Sequence, residues 1–108
     1  MGFTKKEDFT AEQNDLAMLT KALGHPARIA ILQFLIRQKS CVCGAIVEEL
    51  PLSQSTVSQH LGELKKVGLI KGDIDGPSVC YCIDAKAWAK MKITLHELLD
   101  SFQDPNCC

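Results

Sequence analysis

The sequence predicts a mainly α-helical domain carrying one small β-hairpin, and three observations predict it. Apolar residues recur at helical spacing in separate runs, such as Leu16, Leu19 and Leu23, or Ile29, Leu32, Leu35 and Ile36. A two-residue alternation, with Val79, Tyr81 and Ile83 set against Cys80 and Cys82, follows a turn at Asp75-Gly76-Pro77. Pro51-Leu52-Ser53 joins two helical runs by a turn of two or three residues, the mark of a helix-turn-helix. The order helix, helix, helix-turn-helix, hairpin, helix is that of an α/β winged helix-turn-helix. At 108 residues the whole chain, 1–108, makes one domain, large enough for a single core and small enough to gain from dimerising.

Residues 1–9 read as a flexible arm, with Lys5 and Lys6 available to phosphates. Thr10 can cap a first helix that runs to about Ala22, and Gly24 stops it. Pro26 suits the first position of a second helix, where its missing N–H costs nothing, and that helix extends to about Gln38. Ser40 can cap a short third helix from about Val42 to Leu50, with Ile46, Val47 and Leu50 as its apolar side. A fourth follows, capped by Ser53 and ended by Gly68. Leu69–Ile74 and Ser78–Asp84 read as the two strands of the wing. A last helix, from about Ala85 to Ser101, has a broad apolar face of Trp88, Met91, Leu95, Leu98, Leu99 and Phe102. Residues 103–108 form a flexible tail that contains Cys107 and Cys108.

Composition narrows the function. Hydrophobic residues make up 46%, so the chain is globular, and the net charge of −1 with a pI near 6.3 gives no global attraction to nucleic acid. No apolar run approaches a membrane span and the start is not a signal peptide, so the expected compartment is the cytoplasm, with no membrane partner. Cysteines are normally reduced there, and six of them arranged as three close pairs point to metal or redox chemistry. There is no Gly-rich phosphate loop, no Ser/His/Asp set and no catalytic carboxylate pair, so an enzyme is not expected.

The fourth helix carries the most specific signal. Val57, Leu61 and Leu64 form its apolar stripe, while Ser55, Gln59, Gly62 and Lys66 line the opposite side, flanked by Thr56 and Ser58. A helix meant only for solvent usually carries Glu and Lys in i, i+4 pairs. This one presents hydroxyls and amides, which read base edges or grip phosphates, and its N-terminal dipole favours a phosphate.

ALGHPARIAILQFL followed by CVCGAIVEELPLSQSTVSQHLGELKKVGLI resembles the ArsR/SmtB family of metal-sensing bacterial repressors, over roughly Leu16 to Asp84. The resemblance implies a winged-helix homodimer built through the first and last helices. It also implies a double-stranded DNA operator with an imperfect inverted repeat, released when inducer binds. The family's recognition residues fall on Ser53, Gln54, Ser55, Thr56, Ser58, Gln59 and His60, to which the basic end of the helix adds Lys66. His60 sits at the edge of the apolar stripe, where a buried histidine bonded to backbone is at least as good a reading. The acidic wing tip, Asp73-Ile74-Asp75-Gly76, departs from the basic tips of many relatives.

Cys41-Val42-Cys43 resembles the inducer motif of the arsenite-sensing and cadmium/lead-sensing branches. The arsenite branch often has a third thiol where this chain has Ile46, so Cys107 and Cys108 become the expected extra donors. Thiolates select soft species, and the expected inducer is trivalent arsenic or antimony. The zinc-sensing set on the last helix is not expected, because aligning Asp84 with its first ligand leaves Lys86, Glu97 and Asp100 at the others. On a helix, residues i and i+2 lie about 200° apart, so Cys41 and Cys43 would close on one ion only by unwinding its first turn. Cys80 and Cys82, about 7 Å apart along a strand, suit packing better than chelation. Three alternatives stay open: a redox or persulfide sensor of the same fold, a cadmium/lead-type sensor, and a thiol-rich metal-binding or protein-interaction module without DNA binding.

Overall fold

The structure is a computed structural model that describes residues 8–38, 41–43, 50–73 and 80–105. Helix α1, Ala11–Leu23, opens on a reciprocal cap: the Gln13 amide donates to Thr10 Oγ1 and the Thr10 amide donates to Gln13 Oε1, both at 3.0 Å. Helix α2, Pro26–Gln38, begins with His25 as its cap. The His25 carbonyl accepts from the Arg28 and Ile29 amides, and its Nδ1 accepts from the Ala27 amide at 3.0 Å. Pro26 takes the first helical position, as the sequence predicts.

Helix α3, Gln54–Lys66, is capped by Ser53, whose Oγ accepts from the Thr56 amide at 3.3 Å. Its C-terminus closes with two reversed bonds, Gly68 N–H to Lys65 O and Leu69 N–H to Leu64 O. That pattern needs a left-handed residue between them, and Gly68 supplies it at φ 83°. The chain then enters β2, Ile70–Asp73, which pairs antiparallel with β3, Cys80–Ile83. The Asp84 amide donates to Leu69 O and shuts the base of the wing, while the Asp84 carboxylate caps α4, Ala85–Asp100.

The core forms where α2, α3 and the sheet meet. Ile31, Leu32, Leu35, Val57, Leu61, Leu64, Leu69, Ile70 and Tyr81 are buried, with Ala22 and Met91 joining from α1 and α4. The apolar stripe expected on α3 is buried as a unit.

One element differs from expectation. Val42–Cys43 is a short strand, β1, and not the start of a helix; it pairs antiparallel with β3, giving a three-stranded sheet in the order β1-β3-β2. The physical reason is that Val42, which favours extended backbone, meets the free side of β3, and a ladder partner outweighs local propensity in so short a segment. The unwinding mechanism expected for Cys41 and Cys43 therefore has no helical turn at Val42–Cys43 to unwind. The rest of the expected third helix lies outside the described residues, as do residues 74–79 at the wing tip.

Candidate nucleic-acid interface and thiol pair

The exposed side of α3 is built from its cap. Ser53 Oγ lies 3.2 Å from Ser55 Oγ and 3.0 Å from Thr56 Oγ1, so three hydroxyls cluster at the helix N-terminus. Gln54, Ser55 and Gln59 are exposed, and Thr56 and Ser58 are half-buried beside them. No carboxylate stands in the first turn, while Lys65 and Lys66 occupy the last. The positive end of the helix dipole is thus left open to an anion. Lys66 is exposed, 3.5 Å from Glu63, and is set at the far end of the helix from Ser53, about 20 Å away at 1.5 Å per residue. The two ends cannot contact one base pair, though both can touch one duplex.

His60 stands apart from the exposed row. It is half-buried, its Nδ1 accepts from Arg28 Nε at 3.1 Å, and its ring lies 4.3 Å from the ring of His25. Burial, His25 and Arg28 together hold its pKa below the ordinary histidine value, against a smaller opposing pull from Glu63. The arrangement uses His60 to set α3 on α2. Arg28 was not singled out in the sequence, although its i+3 spacing from His25 on a capped helix is a readable sign that the two share a face.

The cysteines regroup. Val42 pairs with Tyr81 and Cys43 with Cys80, and one further step along the same ladder brings Cys41 opposite Cys82. Cys41 and Cys82 are joined by a disulfide, with Cα atoms 4.3 Å apart and 41 residues between them in sequence. That Cα separation matches the narrow pairs of an antiparallel ladder. Cys82, read from sequence as a packing residue, is therefore the partner of a residue in the expected inducer motif. Cys107 and Cys108 lie outside the described residues. Tyr81, between Cys80 and Cys82, points the other way into the core and is 1% exposed; burial pushes its phenol up to about 12.

Asp84 is committed to capping α4, and the bond from the Ala87 amide is the main cause of its lowered pKa. Among the described residues no group of three or more His, Cys, Asp and Glu is arranged to hold a metal ion, and no helix is long and apolar enough to cross a membrane.

Comparison with known proteins agrees with this geometry. Residues 25–71, from the α2 cap to β2, match the bacterial regulatory protein, arsR family. An HTH-type transcriptional regulator of Methanocaldococcus jannaschii is 38% identical over 79 residues, covering 71% of this chain and 88% of that one. The HTH-type transcriptional regulator YgaV of Escherichia coli is 32% identical over 84 residues, covering 78% and 85%. Among solved structures, HlyU from Vibrio cholerae superposes with a TM-score of 0.63 at 27% identity, covering 86% of this chain and all of that one. An ArsR-like regulator from Rhodococcus superposes at 0.66 and 23% identity, covering 84% and 85%, a likeness of fold.

Proposed function

Because the chain belongs to the arsR family of bacterial transcriptional regulators, we propose that it is a cytoplasmic, homodimeric repressor whose operator is released by trivalent arsenic or antimony bound to cysteine thiolates. The observation that carries the DNA-binding part is the open N-terminal half of α3: exposed Gln54, Ser55 and Gln59, a hydroxyl cluster at Ser53 and no acid in the first turn. These groups suit base edges and phosphates in a major groove. Exposed Ile93, Leu98, Leu99 and Phe102 on and just beyond α4, with Phe9 and Met18 on the α1 side, are the apolar surface a second subunit would cover. The inducer part rests on thiol chemistry, since soft trivalent arsenic prefers sulfur over the oxygen and nitrogen ligands nearby.

Fluorescence anisotropy on DNA from upstream of the gene tests both parts. Binding that weakens as salt rises, and that arsenite reverses under reducing conditions, is the expected result. Binding that ignores arsenite and antimonite would refute the inducer.

A second reading has its own observation. Cys41 and Cys82 are disulfide-bonded, so the same pair suits a redox sensor. Loss of operator binding on peroxide treatment, restored by dithiothreitol and independent of metalloid, would favour it.

A further inference from the structure

Chelation across a ladder differs from chelation along a strand. Residues i and i+2 of one strand stand about 7 Å apart, whereas directly opposed residues have Cβ atoms about 4.5–5.5 Å apart. Neither Cys41-Val42-Cys43 nor Cys80-Tyr81-Cys82 suits one small centre by itself. The two segments face each other, however, with Cys43 opposite Cys80 and Cys41 bonded to Cys82. Tyr81 takes the core face of β3, so Cys82 belongs to the other face, where it is half-buried and its partner Cys41 is exposed. Cys41 and Cys82 thus meet across the ladder, within reach of solvent.

We propose that the reduced Cys41–Cys82 pair is a cross-strand dithiol that takes a trivalent arsenical. This deepens the reading of the chain as an arsenical-responsive repressor and rests on it. The chemistry is substitution without redox change. A monosubstituted arsenical such as phenylarsine oxide forms two As–S bonds and releases one water. Arsenous acid forms two As–S bonds and releases two waters, keeping its third hydroxyl.

The placement also supplies a route to DNA. β1 precedes the chain that leads into α3, and β3 leads from the wing into the α4 cap at Asp84. An arsenic held between Cys41 and Cys82 fixes the entry to the recognition helix against the wing and α4, three parts that an operator must meet in one relative position.

The test uses the full chain, reduced and then freed of reductant. Phenylarsine oxide is added to the wild type and the adduct mapped after tryptic digestion. Lys65, Lys66 and Lys71 separate the two cysteine segments, so a cross-strand adduct joins two peptides through one arsenic, and an adduct within either segment leaves them apart. The expected result is the joined pair. Arsenite titration of operator-bound Cys82→Ser and Cys82→Ala should need about tenfold more arsenite than the wild type, or beyond. Adducts confined to Cys107 and Cys108, or an unchanged response in both Cys82 variants, would overturn this site and leave the repressor reading intact. A wild type that binds operator but neither takes up phenylarsine oxide nor responds to arsenite would overturn both.

Discussion

Arg28 Nε donates to His60 Nδ1 across 3.1 Å and 32 residues of sequence, and this bond adds a polar tie between α2 and α3 to their shared core. The same guanidinium donates through Nη1 to the Ala22 carbonyl at 3.3 Å, which reaches the C-terminus of α1. One side chain therefore latches three helices. The bond requires His60 to keep Nδ1 unprotonated, and the depressed pKa of His60 agrees with that need. A depressed histidine pKa means the folded state resists the proton, so its contribution is present above the ordinary value of 6.5 and is lost as pH falls through the folded value. Thermal melts should show stability dropping as pH falls below that ordinary value. In His60→Gln, which cannot titrate, the drop should be shallower; an identical pH profile would remove His60 from this role.

The exposed row of α3 should separate reading from folding. Ser55→Ala and Gln59→Ala remove exposed groups, so their melting temperatures should match the wild type. Operator affinity should fall by about 1–3 kcal/mol wherever the side chain contacts a base. Lys66, exposed and beside Glu63, should behave differently. Lys66→Ala should weaken operator and random DNA alike and flatten the salt dependence. Comparing each variant on operator and scrambled duplexes checks both claims.

Much of the fold was legible because its signals are local. Thr10 and Ser53 cap the helices they precede, Pro26 sits at a first helical position, and Gly68 ends α3 in the left-handed conformation. β1 was not legible, because a two-residue strand takes its identity from a partner about forty residues away. Without β1, spacing along one segment sets each cysteine against its near neighbour, whereas the ladder sets cysteines against each other across two segments. The mirrored pattern Cys-Val-Cys and Cys-Tyr-Cys, each with a strand-favouring residue between thiols, was the available sign. His60 and Arg28 show the same limit. The stripe placed His60 at the edge of the buried face, but its donor lies on another helix.

The Cys41–Cys82 bond closes a long loop, and closing it restricts the unfolded chain. A separation of 41 residues corresponds to about 4 kcal/mol of stabilisation in the chain-entropy account. The urea midpoint of the oxidised protein should therefore fall sharply on reduction. Cys82→Ser should unfold at a lower urea concentration than the oxidised wild type. Equal midpoints for oxidised and reduced wild type would mean the bond does not constrain the fold.

Gly72 has a narrower tolerance than any surface position of the wing suggests. Its φ is 118°, and a Cβ there would overlap the Cys80 carbonyl on the paired strand. Both the backbone conformation and the close approach exclude a side chain. Gly72→Ala should cost about 2 kcal/mol or more, read from urea unfolding, because neither strand can move without breaking the β2–β3 ladder. Gly68 has a left-handed φ as well but open space around it. Gly68→Ala should cost only about 1 kcal/mol, from the conformational term alone. Equal losses at the two positions would show that the Cys80 carbonyl yields.

Tyr81 offers the opposite result, a substitution that strengthens the fold. Its ring fills the centre of the core, and its hydroxyl is buried with no hydrogen-bond partner among the described residues. A buried hydroxyl without a partner costs about 1–3 kcal/mol, while the ring supplies the packing. Tyr81→Phe keeps the ring and should match or exceed the wild-type melting temperature. Alkali provides the matching test. The folded phenol titrates near 12, above its ordinary value of 10.0, so its contribution is intact below the ordinary value and is lost as pH rises through the folded one. Wild-type stability should fall across that window, and Tyr81→Phe should fall less. A Phe variant less stable than the wild type at neutral pH would show that the hydroxyl is bonded after all.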